Sequence, residues 1–245
     1  MKNTVQHYLS SAPHHPGQDI EPFLLRAIRI CSALAECHKH GLPHGNVTPR
    51  TILVSPDTDH VVLVANPFNG QSASQDETFV PLGVSDEPMA YLAPEQIRRL
   101  QQELDLRADL YSLGVVFYEL LTDRLPFMAK DPLEWAHCHI ARMPKSPAEV
   151  LDTIPSLLSD IVMKLLNKAA ENRYQSSNGL QLDLERCLLQ WRQNGHLTPF
   201  ALGTADTIEQ LYIPHRLYGR EKELEILLQG FERVAEHGIP AMFLV

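Results

Sequence analysis

The run from Asp109 to Leu121 leaves little choice of fold. Leu110, Tyr111, Leu113, Val115, Val116, Phe117, Tyr118, Leu120 and Leu121 put apolar residues on nearly every side of it. The run is too short to cross a bilayer, which takes about 20 apolar residues. A helix without a polar face has to be enclosed by other elements. The remainder of the chain must therefore supply amphipathic pieces to cover it, and 245 residues suffice for one large domain or one domain and part of another.

Such pieces are present on both sides. Phe23, Leu24, Ala27, Ile28, Cys31, Leu34, Ala35 and His38 recur at three- and four-residue steps, which predicts an amphipathic helix. Asp19 suits its N-cap, Pro22 its first turn and Gly41 its end. Two short β-branched runs, 51–54 and 61–64, flank a turn-forming Ser-Pro-Asp-Thr-Asp-His stretch and predict a hairpin. Residues 66–90 read as a long loop, rich in Asn, Gly, Ser, Gln and Pro. Further amphipathic helices are predicted at about 131–142, 157–169 and 178–193. Residues 194–217 are linker-like. A charged helix over 220–237 and an apolar strand over 241–245 then suggest the opening of a second domain. The fold class expected is mainly α with a small β-hairpin.

Composition narrows the function. Apolar residues make up 44% and charged residues 21%, ordinary for a globular domain. The net charge of −9 comes without a basic stripe, which argues against a nucleic-acid partner. There is no membrane-length apolar run and no secretory signal at the N-terminus, so a cytoplasmic location is expected. Cys31, Cys37, Cys138 and Cys187 form no CxxC pair and read as reduced thiols. The histidine groups His38/His40/His44 and His137/His139 have two- and four-residue spacings but no HExxH-type pattern, and no metal site is expected from them.

The order of elements, together with Tyr91–Gln96 (YLAPEQ), Asp109–Val115 (DLYSLGV), Leu125–Phe127 (LPF) and Glu171–Tyr174 (ENRY), resembles the C-terminal lobe of a protein kinase. Glu134-Trp135, His139–Arg142 (HIAR), Asn172–Ser176 (NRYQS), Gly179-Leu180 and Leu217–Glu221 (LYGRE) narrow the resemblance to a bacterial subset of serine/threonine kinase domains. In that subset the kinase-like domain opens a large signalling protein, followed by an AAA/STAND-type P-loop ATPase, GAF or similar sensors and often a histidine kinase. The resemblance implies a hinge-like segment over 1–18, a kinase-like C-lobe over 19–193 with the N-terminal lobe absent, a linker over 194–217, and the start of the ATPase over 218–245. The phosphate-binding motif of that ATPase would be expected just beyond Val245.

The kinase family's catalytic loop, H-R-D-x-K-P-x-N, aligns with His44–Thr51 (HGNVTPRT). Asn46 stands where the family has its catalytic base, and a neutral amide has no carboxylate to accept a proton. Thr48 replaces the phosphate-contacting lysine, Thr51 the metal-binding asparagine, and Ala65 the magnesium-binding aspartate of D-F-G. No GxGxxG loop or VAIK-like lysine is found. The structural letters remain. The resemblance implies a buried Glu95–Arg173 salt bridge, an Asp109 that accepts backbone N–H bonds from the loop, and a His44 packed beneath it. Ser72, Ser74, Thr78 and Ser85 fall on the activation-segment equivalent, but Gly45 replaces the arginine that would receive a phosphate. Arg98-Arg99 reads as a solvated helix end, and Trp135 and Trp191 as core or groove aromatics.

The reading is a catalytically inactive kinase-like module, a scaffold or regulatory domain. It expects no functional catalytic residue and no bound cofactor, although the family uses ATP and magnesium. Its expected partners are proteins or downstream domains of the same signalling protein. The alternatives are an active serine/threonine kinase whose N-lobe lies upstream, the N-terminal part of a signalling ATPase or sensor kinase, and a decayed gene piece without an independent role.

Overall fold

Residues 20–39, 41–55, 60–64, 80–81, 88–97 and 105–206 are described in the computed structural model. The chain divides into two units, 1–209 and 210–245, and every element below belongs to the first. In chain order these are α1 (Ile20–His38), β1 (Ile52–Val54), β2 (Val61–Leu63), β3 (Val80–Pro81), a 3-10 turn (Pro88–Tyr91), α2 (Pro94–Ile97), α3 (Arg107–Thr122), α4 (Pro132–Ala141), α5 (Pro147–Val150), α6 (Ser156–Leu165), a second 3-10 turn (Ala170–Asn172) and α7 (Ser177–Asn194). The described residues are thus mainly helical with a small antiparallel sheet. Residues 1–18, Ala65, the four Ser/Thr positions between 72 and 85, Arg98-Arg99 and the helix and strand expected after 217 lie outside them.

Helix α3 is the predicted apolar run, extended two residues upstream to Arg107, where the Asp105 carboxylate accepts the Arg107 N–H (2.7 Å). It is buried from Ala108 through Tyr118 without a break. Gly114 sits where α6 crosses, and a Cβ there would lie 2.7 Å from Leu165 Cβ, so the glycine sets how closely the two helices approach. Helix α1 buries Ile20, Phe23, Leu24, Ala27, Ile30, Cys31, Leu34 and His38, packs along α7, and sets Phe23 edge-on to Phe117 of α3 (5.6 Å). Its stripe is rotated slightly from the predicted one: Ile30 is buried, while Ile28 and Ala35 are half-buried.

The predicted hairpin is present, with Ile52 opposite Leu63 and Val54 opposite Val61. A third strand corrects the reading of 66–90 as loop throughout. Val80–Pro81 pairs with Leu53–Val54 on the other side of β1, giving the order β2-β1-β3. Two residues are too few to show alternation, and proline is tolerated on an edge strand. Helix α6 stops at Leu165 rather than near 169, because the carbonyls of Asn167 and Lys168 turn to accept from Arg173. Helix α5, closed by a Ser146/Glu149 capping box, was not anticipated.

The linker-like passage is docked over its described part. After Gly195, which takes the left-handed conformation that ends α7 (φ 69°), the chain doubles back along that helix. Leu197, Phe200 and Leu202 pack against the core, and Asp206 reaches the first turn of α7. All four cysteines are free thiols, and three are buried. Among the described residues no helix is long and apolar enough to cross a membrane.

Candidate functional site

The loop between α1 and β1 holds His44, Gly45, Asn46, Thr48 and Thr51, and its shape is fixed from two sides. From below, the buried Asp109 carboxylate at the start of α3 takes three donors. Oδ2 accepts from the His44 N–H (2.7 Å) and lies 2.8 Å from His38 Nε2, while Oδ1 accepts from the Gly45 N–H (2.8 Å). From the side, Gln96 of α2 donates through Nε2 to the Gly45 carbonyl (2.9 Å) and accepts the Ala93 N–H on Oε1 (2.8 Å). Gly45 itself has φ +73°, which suits a residue without a Cβ.

The loop also ties itself. The Thr51 hydroxyl, almost fully buried, donates to the Asn46 carbonyl (2.7 Å), with the Thr48 carbonyl at 3.0 Å sharing the same proton. The same oxygen accepts the Thr48 N–H (3.0 Å). Asn46 is exposed. His44 is half-buried beneath the loop, with neither ring nitrogen in a hydrogen bond of good geometry. Burial holds its imidazole below the ordinary range, and the Asp109 charge and the backbone of Val64 pull weakly the other way.

Glu95 and Arg173, 78 residues apart, meet in a bidentate pair, Nη1 to Oε1 at 2.6 Å and Nη2 to Oε2 at 2.9 Å. The Arg173 side chain is fully buried, and that of Glu95 is 24% exposed. The guanidinium also donates to the carbonyls of Asn167, Arg107 and Lys168 and lies 5.0 Å from the Tyr111 ring centroid. Arg173 therefore fastens α2 to the start of α3 and to the turn after α6. The same α3 terminus carries Asp109, so the two supports share a foundation.

Beside them lies a cluster built around His139. His139 of α4 is fully buried, stacked on Trp135 (5.8 Å) and edge-on to Phe127 and Tyr111. Lys168 can only donate, so the Tyr111 oxygen accepts from it (3.3 Å) and keeps its own proton for His139 Nδ1 (3.0 Å). The remaining imidazole proton then sits on Nε2, which makes no hydrogen bond of good geometry. Burial first, and the Lys168 charge second, hold His139 down to about 4, and burial holds Lys168 down to about 8. His137, two residues away, is exposed. The two rings do not converge, and no group of three or more potential metal ligands forms among the described residues.

The buried neutral His139 has a consequence that can be measured. The unfolded chain takes up this proton near the ordinary imidazole value of 6.5, the folded protein only near 4. Stability should therefore fall as pH drops through that window, by on the order of 3 kcal/mol in total. Urea midpoints at pH 7 and pH 4.5 should differ more for the wild type than for His139→Phe. Equal differences would show that His139 does not carry the effect.

A family model described as a protein kinase domain matches residues 8–184, and the chain belongs to that family. It is 39% identical over 168 residues to hybrid signal transduction histidine kinase G of Dictyostelium discoideum, covering 60% of this chain and 5% of that protein. It is 31% identical over 179 residues to the probable serine/threonine-protein kinase SCO3848 of Streptomyces coelicolor, covering 71% and 26%. To the serine/threonine-protein kinase PknB of Mycolicibacterium smegmatis it is 34% identical over 168 residues, covering 66% and 26%. The chain thus spans about a quarter or less of the length of these relatives.

The family's chemistry needs a base and ligands for a magnesium nucleotide. The loop from His44 to Thr51 holds no carboxylate, and the Thr51 hydroxyl is committed to its own backbone. Magnesium prefers carboxylate oxygen, and position 65 is alanine. The loop and position 65 thus lack the carboxylate that the ion prefers. Three residues support the site in ways that their motifs and spacing do not indicate. Gln96 stood inside a quoted motif, His38 read as helix stripe and metal candidate, and Tyr111 read as core; each acts through a tertiary contact that periodicity does not encode.

Proposed function

We propose that this kinase-family domain is catalytically silent and serves as a scaffold or regulatory module of a larger signalling protein. One observation carries the reading: Asp109, Glu95 and Arg173 hold the loop and its surroundings in place while the loop itself has no carboxylate to act as base or to bind magnesium. A loop under selection for phosphoryl transfer would keep a carboxylate at positions 46 and 65, because that chemistry is positioning plus electrostatic stabilisation. The Dictyostelium relative is named a signal transduction histidine kinase, and the match spans a small share of it. That supports a domain working among others, with protein partners or neighbouring domains as its ligands. The resemblance of 218–245 to the start of an ATPase module supports the same architecture.

The test is nucleotide binding and transfer with the full chain. ATP with magnesium is expected to leave the melting temperature unchanged, since a ligand stabilises only what it binds. No labelled phosphate is expected on the chain or on a generic protein substrate. A magnesium-dependent rise in melting temperature, or transfer abolished by Asn46→Ala, would overturn the reading in favour of an active serine/threonine kinase.

A further inference from the structure

The passage after α7 runs back along that helix and closes on its beginning. The Thr198 N–H donates to Gln190 Oε1 (2.9 Å), Phe200 lies under the Arg186 guanidinium (4.0 Å), and the Gly203 N–H donates to Asp183 Oδ2 (2.7 Å). Asp206 then accepts from the Gln175 N–H (2.5 Å), the Ser176 N–H (3.0 Å) and the Ser176 hydroxyl (2.7 Å). A side chain on Gly179 would overlap the Asp206 carboxyl, so the helix is shaped to admit it.

The grip does not end at α7. The side chain of Gln175, whose backbone Asp206 holds, accepts from Arg107 Nη1 (2.9 Å). The Arg107 carbonyl accepts from Arg173, the partner of Glu95, and Arg107 lies two residues before Asp109, which holds His44 and Gly45. Hydrogen bonds, together with the two-residue step of chain from Arg107 to Asp109, therefore join the C-terminal passage to the loop at 44–51.

We propose that residues 197–206 form an intramolecular clasp, with Asp206 as its catch and Gly179 as its seat, whose opening loosens the loop at 44–51 through Gln175 and Arg107. The inference stands whether or not the loop binds nucleotide, because none of its contacts involves residues 46, 48 or 51.

Amide hydrogen exchange on the full chain tests it, with Asp206→Asn removing the charge and Gly179→Ala unseating the carboxyl without altering it. Both variants are expected to raise exchange at Gln175, Ser176 and Gly203 by about tenfold, the scale of a lost helix cap. Both are also expected to raise exchange at His44 and Gly45, while the α1 amides keep their protection. A variant that leaves the clasp amides unchanged would overturn the catch. Opening of the clasp without a change at His44 and Gly45 would overturn the coupling. Loss of protection in α1 as well would mean that the domain unfolds as a whole and that no separate clasp exists.

Discussion

Arg173→Met is expected to lower the unfolding free energy by about 3–5 kcal/mol, a large share of the roughly 5–15 kcal/mol that a typical domain has. The substitution keeps most of the volume but removes every donor. It leaves the carbonyls of Asn167, Arg107 and Lys168 without their partner and strands the Glu95 carboxylate. Glu95 retains some contact with water, whereas Arg173 has none. The reverse single change, Glu95→Leu, should nevertheless be milder, because the guanidinium keeps its three carbonyls and the Tyr111 face. The double variant should cost less than the sum of the two. Urea unfolding of the four proteins reads this directly, and additive losses would show that the two residues are not coupled.

Asp109→Ala is expected to cost a comparable amount, about 3–5 kcal/mol, from a different source. Three donors, the His44 and Gly45 amides and the His38 ring, lose one shared acceptor in a buried place, and each unmade bond to a charged group costs about 1.5–3 kcal/mol before relaxation. Asp109→Asn should be milder, since one oxygen remains and only one side turns into a donor. Denaturant midpoints and exchange at His44 and Gly45 should rank wild type, Asn, Ala in that order. Equal behaviour of Asn and Ala would show that the one oxygen the amide keeps holds nothing.

The long elements were readable because their apolar residues repeat with the helix period. Nineteen residues of α1 or sixteen of α3 give the pattern room to declare itself. Helix α5, with four residues, and β3, with two, do not. For α5 a local signal existed, since Ser146 three residues before Glu149 is a capping-box spacing. The end of α6 was set by a partner further along the chain, Arg173, and so could not be read locally. The site was legible only through the resemblance: nothing in periodicity ties Glu95 to a residue 78 positions away. The contact of His139 with Tyr111, Phe127 and Trp135 is not encoded in spacing for the same reason, although each of these residues stands in a motif or helical pattern of its own.

The Thr51 hydroxyl has an effect beyond chemistry. Its bonds to the Asn46 and Thr48 backbone lace the loop from within. Placing a carboxylate at position 46 alone would leave that lacing in place, because Asn46 contributes its backbone carbonyl to it and not its side chain.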